Sequence, residues 1–88
     1  MMIQVRILGC KRPQRYALLR VITAAVDDVR REKPDLQVEI TQVSDSQEIL
    51  KYTQVLSYPS LMINDQLVCC GRTPRKEEVV QWLYQKQI

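Results

Sequence analysis

The 88-residue chain contains no histidine, no phenylalanine and only two glycines. Without histidine, catalysis by an imidazole base is excluded, and zinc, whose usual ligands are cysteine and histidine, is not expected. We therefore predict no metal site. Without phenylalanine, a core must be built from leucine, isoleucine, valine, tyrosine and the single Trp82. Hydrophobic residues make up 45% of the chain, which is enough for one core, so we expect a single domain over residues 1–88.

Long apolar runs and export signals are also missing. No segment approaches the roughly 18 consecutive apolar residues that a membrane span needs. The basic residues near the N-terminus follow its apolar stretch, which is the reverse of the order in a secretory signal. The three cysteines are an odd number, which argues against a disulfide framework. We therefore expect a cytoplasmic protein that does not contact a membrane.

Negative charge is absent from the first 26 residues, since the first carboxylate is Asp27. The net charge of the whole chain is nevertheless only +3, and aromatic residues are 6% of it. A surface that binds nucleic acid is usually more basic and richer in aromatic side chains, so nucleic acid is not an expected partner. The cations of this first segment are Arg6, Lys11, Arg12, Arg15 and Arg20.

The first half of the chain has the pattern of a strand followed by a long helix. Apolar residues alternate with polar ones from Ile3 to Ile7, which predicts a strand that ends at Gly9. After Pro13, apolar residues recur at helical spacing on one face. Pro34 closes this helix, because proline disfavours the helical conformation in the residue before it. The apolar helix face comprises Leu18, Ile22, Ala25 and Val29.

The second half predicts a strand, a short helix, a hairpin and a last helix. Leu36, Val38 and Ile40 alternate with polar residues, and residues 44–46 offer caps for a short helix over about 47–53. Apolar runs at 61–63 and 67–70 flank the polar residues 64–66, which predicts a β-hairpin. Thr73 is expected to cap the last helix, with Pro74 at its first position. The order predicts an α/β fold, β-α-β-α-β-β-α, with a four-stranded mixed sheet and helices on both faces.

Three motifs in this order resemble the core of thioredoxins and glutaredoxins. A cysteine follows the first strand in Ile7-Leu8-Gly9-Cys10, a proline precedes the third strand in Ser57-Tyr58-Pro59-Ser60-Leu61, and a turn leads from Cys70-Gly71 into the last helix. The similarity covers about Ile3 to Tyr84 and is greatest to the minimal prokaryotic small redox-active disulfide proteins. The resemblance implies that strands one and three are central, that strand two lies at an edge, and that the Tyr58–Pro59 bond is cis.

The chain departs from that family at the redox motif. The family has Cys-x-x-Cys, whereas this chain has Cys10-Lys11-Arg12-Pro13, so a two-cysteine cycle within the motif is impossible. Cys10 remains a candidate nucleophile, because a helix N-terminus and the neighbouring cations Lys11, Arg12 and Arg15 favour a thiolate. The alternative is an inherited cysteine whose partner, and whose chemistry, have been lost.

The resemblance also implies where a substrate would bind. The backbone beside Pro59 would pair with an extended peptide, with Tyr58 and Gly71 at the same place. Lys11, Arg12 and Pro13, which follow Cys10 in the chain, are further candidate substrate-binding residues.

Cys69 and Cys70 are adjacent on the last strand and must point to opposite faces. One of them is expected in the core. The resemblance implies that the turn at Gly71 lies near Cys10, which makes Cys70 a candidate resolving partner for Cys10; the alternative is that Cys70 only packs.

Two functions follow. The first is a monothiol form of thiol–disulfide exchange at Cys10, without a resident cofactor, using glutathione or protein thiols as co-substrates. The second is a non-catalytic module that binds extended peptide segments beside Pro59.

Overall fold

The structure, a computed structural model, describes residues 2–52 and 58–85. Its seven elements follow the predicted order β-α-β-α-β-β-α, which confirms the α/β fold class. They are β1 (Met2–Leu8), α1 (Arg12–Glu32), β2 (Gln37–Val43), α2 (Ser46–Ile49), β3 (Ser60–Ile63), β4 (Gln66–Cys70) and α3 (Lys76–Gln85).

The four strands form one mixed sheet in the order β2-β1-β3-β4. β1 pairs with β2 in parallel and with β3 antiparallel, and β3 pairs antiparallel with β4. The prediction that strands one and three are central is therefore confirmed. Ser60 lies between Leu8 of β1 and Cys70 of β4. The C-terminal ends of β1 and β4 and the start of β3 thus meet at one end of the sheet.

The larger core lies between the sheet and the helices α1 and α3. Alternate residues of β1 point into it, as the period of two predicts, and they meet the apolar stripe of α1. Cys69 is the cysteine that packs in this core. Its fully buried members include Ile3, Val5, Ile7, Leu18, Ile22, Ala25, Leu61, Ile63 and Leu83.

The opposite face of the sheet carries a smaller core beside α2. It contains Leu8, Val43, Ile49 and Met62, and the half-buried Tyr58 packs against it. Helices therefore lie on both faces of the sheet, as predicted. The two faces are unequal, because α2 has four residues and α1 has 21.

The hairpin between β3 and β4 turns at Asn64 and Asp65. Both residues have positive φ angles, 49° and 66°, as a two-residue type I′ turn requires. Asparagine and aspartate tolerate this conformation better than other non-glycine residues. The Asn64 side chain also accepts a hydrogen bond from the Gln4 N–H at 2.9 Å, which ties the turn to β1.

Two helix boundaries differ from their predictions. α3 begins at Lys76, so the expected cap at Thr73 and first position at Pro74 are wrong. The Glu78 carboxylate accepts a hydrogen bond from the Arg75 N–H at 3.2 Å, which is the backward half of a capping box and fixes the start two residues later. A proline that is compatible with the first helical position does not identify the cap here, because the Glu78 side chain inside the helix bonds the N–H of Arg75.

The short helix α2 ends at Ile49, earlier than the predicted position 53, which lies outside the described residues. Its start agrees with the prediction, since the Asp45 side chain accepts a hydrogen bond from the Gln47 N–H at 2.9 Å. α1 ends at Glu32, two residues before Pro34, as expected.

Candidate functional site

Three loops meet at the end of the sheet where β1 and β4 finish and β3 begins. They carry Gly9, Pro59 and Gly71. The Gly71 N–H donates to the Pro59 carbonyl at 2.9 Å, and the Gly9 N–H donates to the Val43 carbonyl at 3.1 Å. Gly71 has a φ of 79°, a left-handed conformation that glycine adopts without steric cost. These bonds extend the pairing of the sheet one residue beyond its strands.

Gly9 lies in van der Waals range of two other parts of the chain. A Cβ atom added at Gly9 would lie 3.9 Å from the Pro59 Cα and 3.4 Å from the Arg15 Cγ. Gly9 therefore lies between the Pro59 loop and the first turn of α1. The Tyr58–Pro59 peptide bond is cis.

Cys10 follows Gly9 and is exposed as a free thiol. It lies one residue before Lys11, the N-cap of α1, so Cys10 precedes the helix and is not part of its first turn. Lys11 has extended backbone angles, and its side chain makes no capping hydrogen bond. Pro13 takes the second position of α1, where a missing N–H leaves no helical hydrogen bond unmade.

The residues that follow Cys10 carry positive charge without a local carboxylate. The first turn of α1 contains no acidic residue. Within residues 2–52 and 58–85, no carboxylate forms an ion pair with Lys11, Arg12 or Arg15. An anion at this end of the helix meets the positive end of the helix dipole as well as these cations.

Arg15 has a structural role that its charge alone did not suggest. Its guanidinium donates to the Gly9 carbonyl at 2.9 Å and to the Gln42 side chain at 3.3 Å. It therefore joins α1 to the loop before Cys10 and to β2. Sequence reasoning counted Arg15 only as a nearby cation and took Gly9 only as the end of a strand. Arg15 is six positions from Gly9 and 27 positions from Gln42, and no local sequence pattern predicts either contact.

The two remaining cysteines occupy opposite faces, as strand alternation predicts. Cys69 is buried and its Sγ donates to the Arg72 carbonyl at 3.5 Å. Desolvation by burial is the main cause that raises the pKa of the Cys69 thiol, so it remains protonated at neutral pH. Cys70 is exposed and free.

Cys70 does not simply fill the core, because its side chain is exposed. Register pairs Cys70 with Ser60 and Ser60 with Leu8. Two strand spacings separate β1 from β4, which puts the Cα atoms of Leu8 and Cys70 about 10 Å apart. A disulfide needs Cα atoms within about 7 Å. A disulfide between Cys70 and Cys10 therefore requires that the loop after Leu8 brings the Cα atom of Cys10 closer to Cys70 than the Cα atom of Leu8 is.

The remaining predicted binding residues lie around the same end. Tyr58 is half-buried and Pro59 is buried, whereas Lys11, Arg12 and Pro13 are exposed at the start of α1. Arg12 lies over the ring of Tyr16, with 6.0 Å from its Cζ to the ring centroid. The structure thus brings Cys10, Pro59 and Gly71 to one end of the sheet and leaves the cations on the helix side of it.

A family model for the thioredoxin domain matches residues 1–84. The chain belongs to the thioredoxin-domain family. A comparison with curated proteins finds no match to this chain. In the part of the chain that the structure describes, no cluster of cysteine, aspartate and glutamate has the arrangement of a metal site. No helix among the described residues is long and apolar enough to cross a membrane.

Proposed function

We propose that this thioredoxin-domain protein catalyses thiol–disulfide exchange as a monothiol, with Cys10 as the nucleophile. The observation that carries the proposal is the position of an exposed, free Cys10 directly before α1, among cations that no carboxylate of the described residues neutralises. The exposure of Cys10 gives a substrate disulfide access to its sulfur, and Lys11, Arg12 and Arg15 would attract an anionic substrate to it.

The exchange takes place in two steps. The Cys10 thiolate attacks one sulfur of a substrate disulfide and forms a mixed disulfide, while the other sulfur leaves as a thiolate and takes a proton from water. A second thiol, as its thiolate, then attacks the substrate-derived sulfur of the mixed disulfide, forms a new disulfide with it, and releases Cys10 as a thiolate. Glutathione is the co-substrate we propose for this second step, with another protein thiol as a substitute. If Cys70 acts instead, it attacks the Cys10 sulfur, forms a Cys10–Cys70 disulfide and releases the substrate thiolate, and glutathione then reduces that disulfide. No resident cofactor takes part.

A substrate peptide would lie along the Tyr58–Pro59 segment. The Pro59 carbonyl already accepts from Gly71, so we propose that the peptide pairs with the backbone of Tyr58 in the manner of an added strand. Lys11, Arg12 and Pro13 would contact the part of the substrate on the helix side of Cys10. A reducing compartment such as the cytoplasm would keep Cys10 in its thiol form.

The test compares the wild type with Cys10→Ser and Cys70→Ser in the reduction of a glutathionylated peptide by glutathione. Cys70→Ser is the matched control, because it also removes one exposed thiol. We expect Cys10→Ser to lose all activity above the uncatalysed rate, and Cys70→Ser to remain within about twofold of wild type, since glutathione supplies the second thiol. Mass spectrometry should find the intermediate as a mixed disulfide on Cys10.

If Cys70 is the resolving thiol, the same experiment gives a different result. In that case Cys70→Ser accumulates the mixed disulfide on Cys10 at low glutathione, and mild oxidation of the wild type gives a Cys10–Cys70 bond within one chain. A wild-type rate equal to the uncatalysed rate contradicts the monothiol proposal altogether.

The alternative function is a non-catalytic module that binds extended peptides beside Pro59. Pro13, where the related motif has its second cysteine, favours this alternative. The two proposals separate in the wild type, because exchange gives a rate above the uncatalysed one and a mixed disulfide on Cys10, whereas a binding module binds peptides with neither.

A further inference from the structure

A shallow groove follows the exposed side of α1 and begins two residues after Cys10. It is lined by Arg12, Pro13, Tyr16, Ala17 and Arg20. All five residues are exposed, and Tyr16 presents 46% of its surface to solvent. None of them belongs to the core that α1 shares with the sheet. The groove is therefore a surface that the fold itself leaves uncovered.

The charges of this groove are of one sign, and the described residues supply them with no counter-charge. Arg12 and Arg20 form no ion pair with a carboxylate of residues 2–52 or 58–85. Other cations on α1 and α3 do have such partners: Arg31 and Lys76 both pair with Asp28. Between the two uncompensated arginines lie the apolar parts of Pro13, Tyr16 and Ala17. Along α1, the groove therefore has an arginine at each end and an apolar surface between them.

We infer that this groove docks an acidic segment of a partner protein, with an apolar side chain of that segment on the ring of Tyr16. Arg12 and Arg20 are eight residues apart on one helix, a rise of about 12 Å. Two carboxylates four residues apart on an extended chain are separated by about 13 Å. An extended segment with acidic residues at positions one and five and an apolar residue at position three therefore matches the groove.

This inference rests on the proposed function, because it names the chemistry of the protein that would present its disulfide to Cys10. A protein partner fits the groove better than a nucleic acid does. Nucleic-acid surfaces carry more cations and several stacking rings, whereas this groove has two arginines and one tyrosine. Nucleic-acid binding is therefore one of the outcomes that the experiment must distinguish.

The experiment measures binding of fluorescent peptides to the full chain that carries Cys10→Ser, so that no thiol chemistry contributes. The probe has the order acidic, serine, leucine, serine, acidic, and two controls replace its acids with glutamine or its leucine with serine. We expect the acidic probe to bind best. Its affinity should fall as ionic strength rises from about 0.02 M to about 0.3 M, since salt screens exposed charges.

The decisive protein variant is Arg12→Gln combined with Arg20→Gln. Two exposed ion pairs of ordinary strength correspond to about a five- to tenfold loss in affinity. The matched control combines Arg31→Gln with Arg75→Gln, which removes the same charge outside the groove. Arg75 lies near the other end of α1, because the next residue, Lys76, forms an ion pair with Asp28 of that helix. All four arginines are exposed, and circular dichroism checks that each variant is folded.

Loss of affinity in the groove variant but not in its control supports the inference. An equal loss in both variants would show that net charge alone attracts the probe and would overturn it. The inference would also be overturned if a single-stranded oligonucleotide bound more tightly than the acidic peptide. Self-association of the chain that the groove variant abolishes would overturn it too. A groove variant that binds the probe normally would overturn the docking inference without changing the Cys10 rate in the glutathione assay. A wild-type rate equal to the uncatalysed rate in that assay would overturn the exchange proposal without changing peptide binding. The two proposals therefore fail separately.

Discussion

The face of the sheet under α1 and α3 and the face under α2 differ in what covers them. The first is covered by two helices of 21 and 10 residues and packs a continuous apolar core. Among the described residues, the second is covered by one four-residue helix, and its small core includes Leu8, Val43, Ile49 and Met62. The rest of that second face carries polar residues, of which Gln4 and Arg6 bond to each other.

This difference suggests a division of roles within so small a domain. The larger core holds the sheet together and positions α1, whose start carries Cys10. The smaller core holds Tyr58 and, through Leu8, the end of β1. We expect the first face to dominate the free energy of unfolding, and the second to influence the arrangement of the Pro59 loop.

The sharpest test of this comparison truncates one isoleucine on each face. Ile22 of α1 and Ile49 of α2 are both fully buried. We expect Ile22→Ala to lower the free energy of unfolding by about 4 kcal/mol and Ile49→Ala by about 2 kcal/mol, since isoleucine truncations cost about 2–5 kcal/mol and cost least where neighbours can close the cavity. Urea denaturation measures both changes. A loss for Ile49→Ala equal to or above that for Ile22→Ala would contradict the comparison.

A smaller effect is expected from the polar part of the α2 face. Arg6 has 19% of its side chain exposed and pairs with Asp65 of the hairpin turn. Its Cζ lies 4.8 Å from the centre of the Tyr52 ring. We expect Arg6→Gln to lower the free energy of unfolding by about 1–2 kcal/mol, because it removes a charged hydrogen bond and a cation–π contact.

The control for Arg6 is Arg31→Gln. Arg31 pairs with Asp28 at 3.8 Å and its side chain is 80% exposed, so its removal should change stability by less than about 0.5 kcal/mol. Equal losses in the two variants, measured by urea denaturation, would mean that burial of Arg6 adds nothing to its interactions.

The smallest effect concerns Glu78, at the start of α3 on the other face. The hydrogen bond from Arg72 is the main cause that lowers the pKa of Glu78, and the N–H of Arg75 adds to it. Because the pKa of Glu78 is lower in the folded state, the ionised carboxylate stabilises the fold at pH values above its ordinary pKa of 4.5. This contribution disappears as the pH falls through the folded-state pKa.

Glu78→Gln removes the titrating group but retains an acceptor. The melting temperature of the wild type should therefore exceed that of Glu78→Gln slightly at pH 7, and the difference should shrink below pH 4.5. Thermal denaturation from neutral to acid pH measures it. A difference that grows on acidification has the wrong sign and would contradict the assignment.

Local patterns predicted most elements because their signals lie within a few residues. The alternation of β1, the apolar stripe of α1 and the turn at Asn64 and Asp65 each follow from side chains that are neighbours in sequence. The boundary of α3 is missed although its signal is just as local, because two candidate helix starts compete there. Thr73 and Pro74 have the residue types of a helix start, but the hydrogen bond from Arg75 to Glu78 fixed the cap elsewhere.

Parts of the candidate site were predicted from motif order and resemblance, and other parts were not. Cys10, Pro59 and Gly71 were expected at one end of the sheet, and the register of β1, β3 and β4 brings their loops there. The bridge that Arg15 makes between Gly9 and Gln42 was not expected. It depends on β2 lying beside β1, and a long charged side chain gives no sequence signal for such a partner.

The sequence by itself determined the element types and the replacement of the second motif cysteine by Pro13. It also determined that Cys69 and Cys70 point to opposite faces. Only the tertiary structure decided which of these cysteines is buried, which residues meet around Gly9, and which face of α1 remains open to solvent. The reason is that periodicity reports which side chains share a face, whereas the neighbours of that face depend on pairings between strands far apart in the chain.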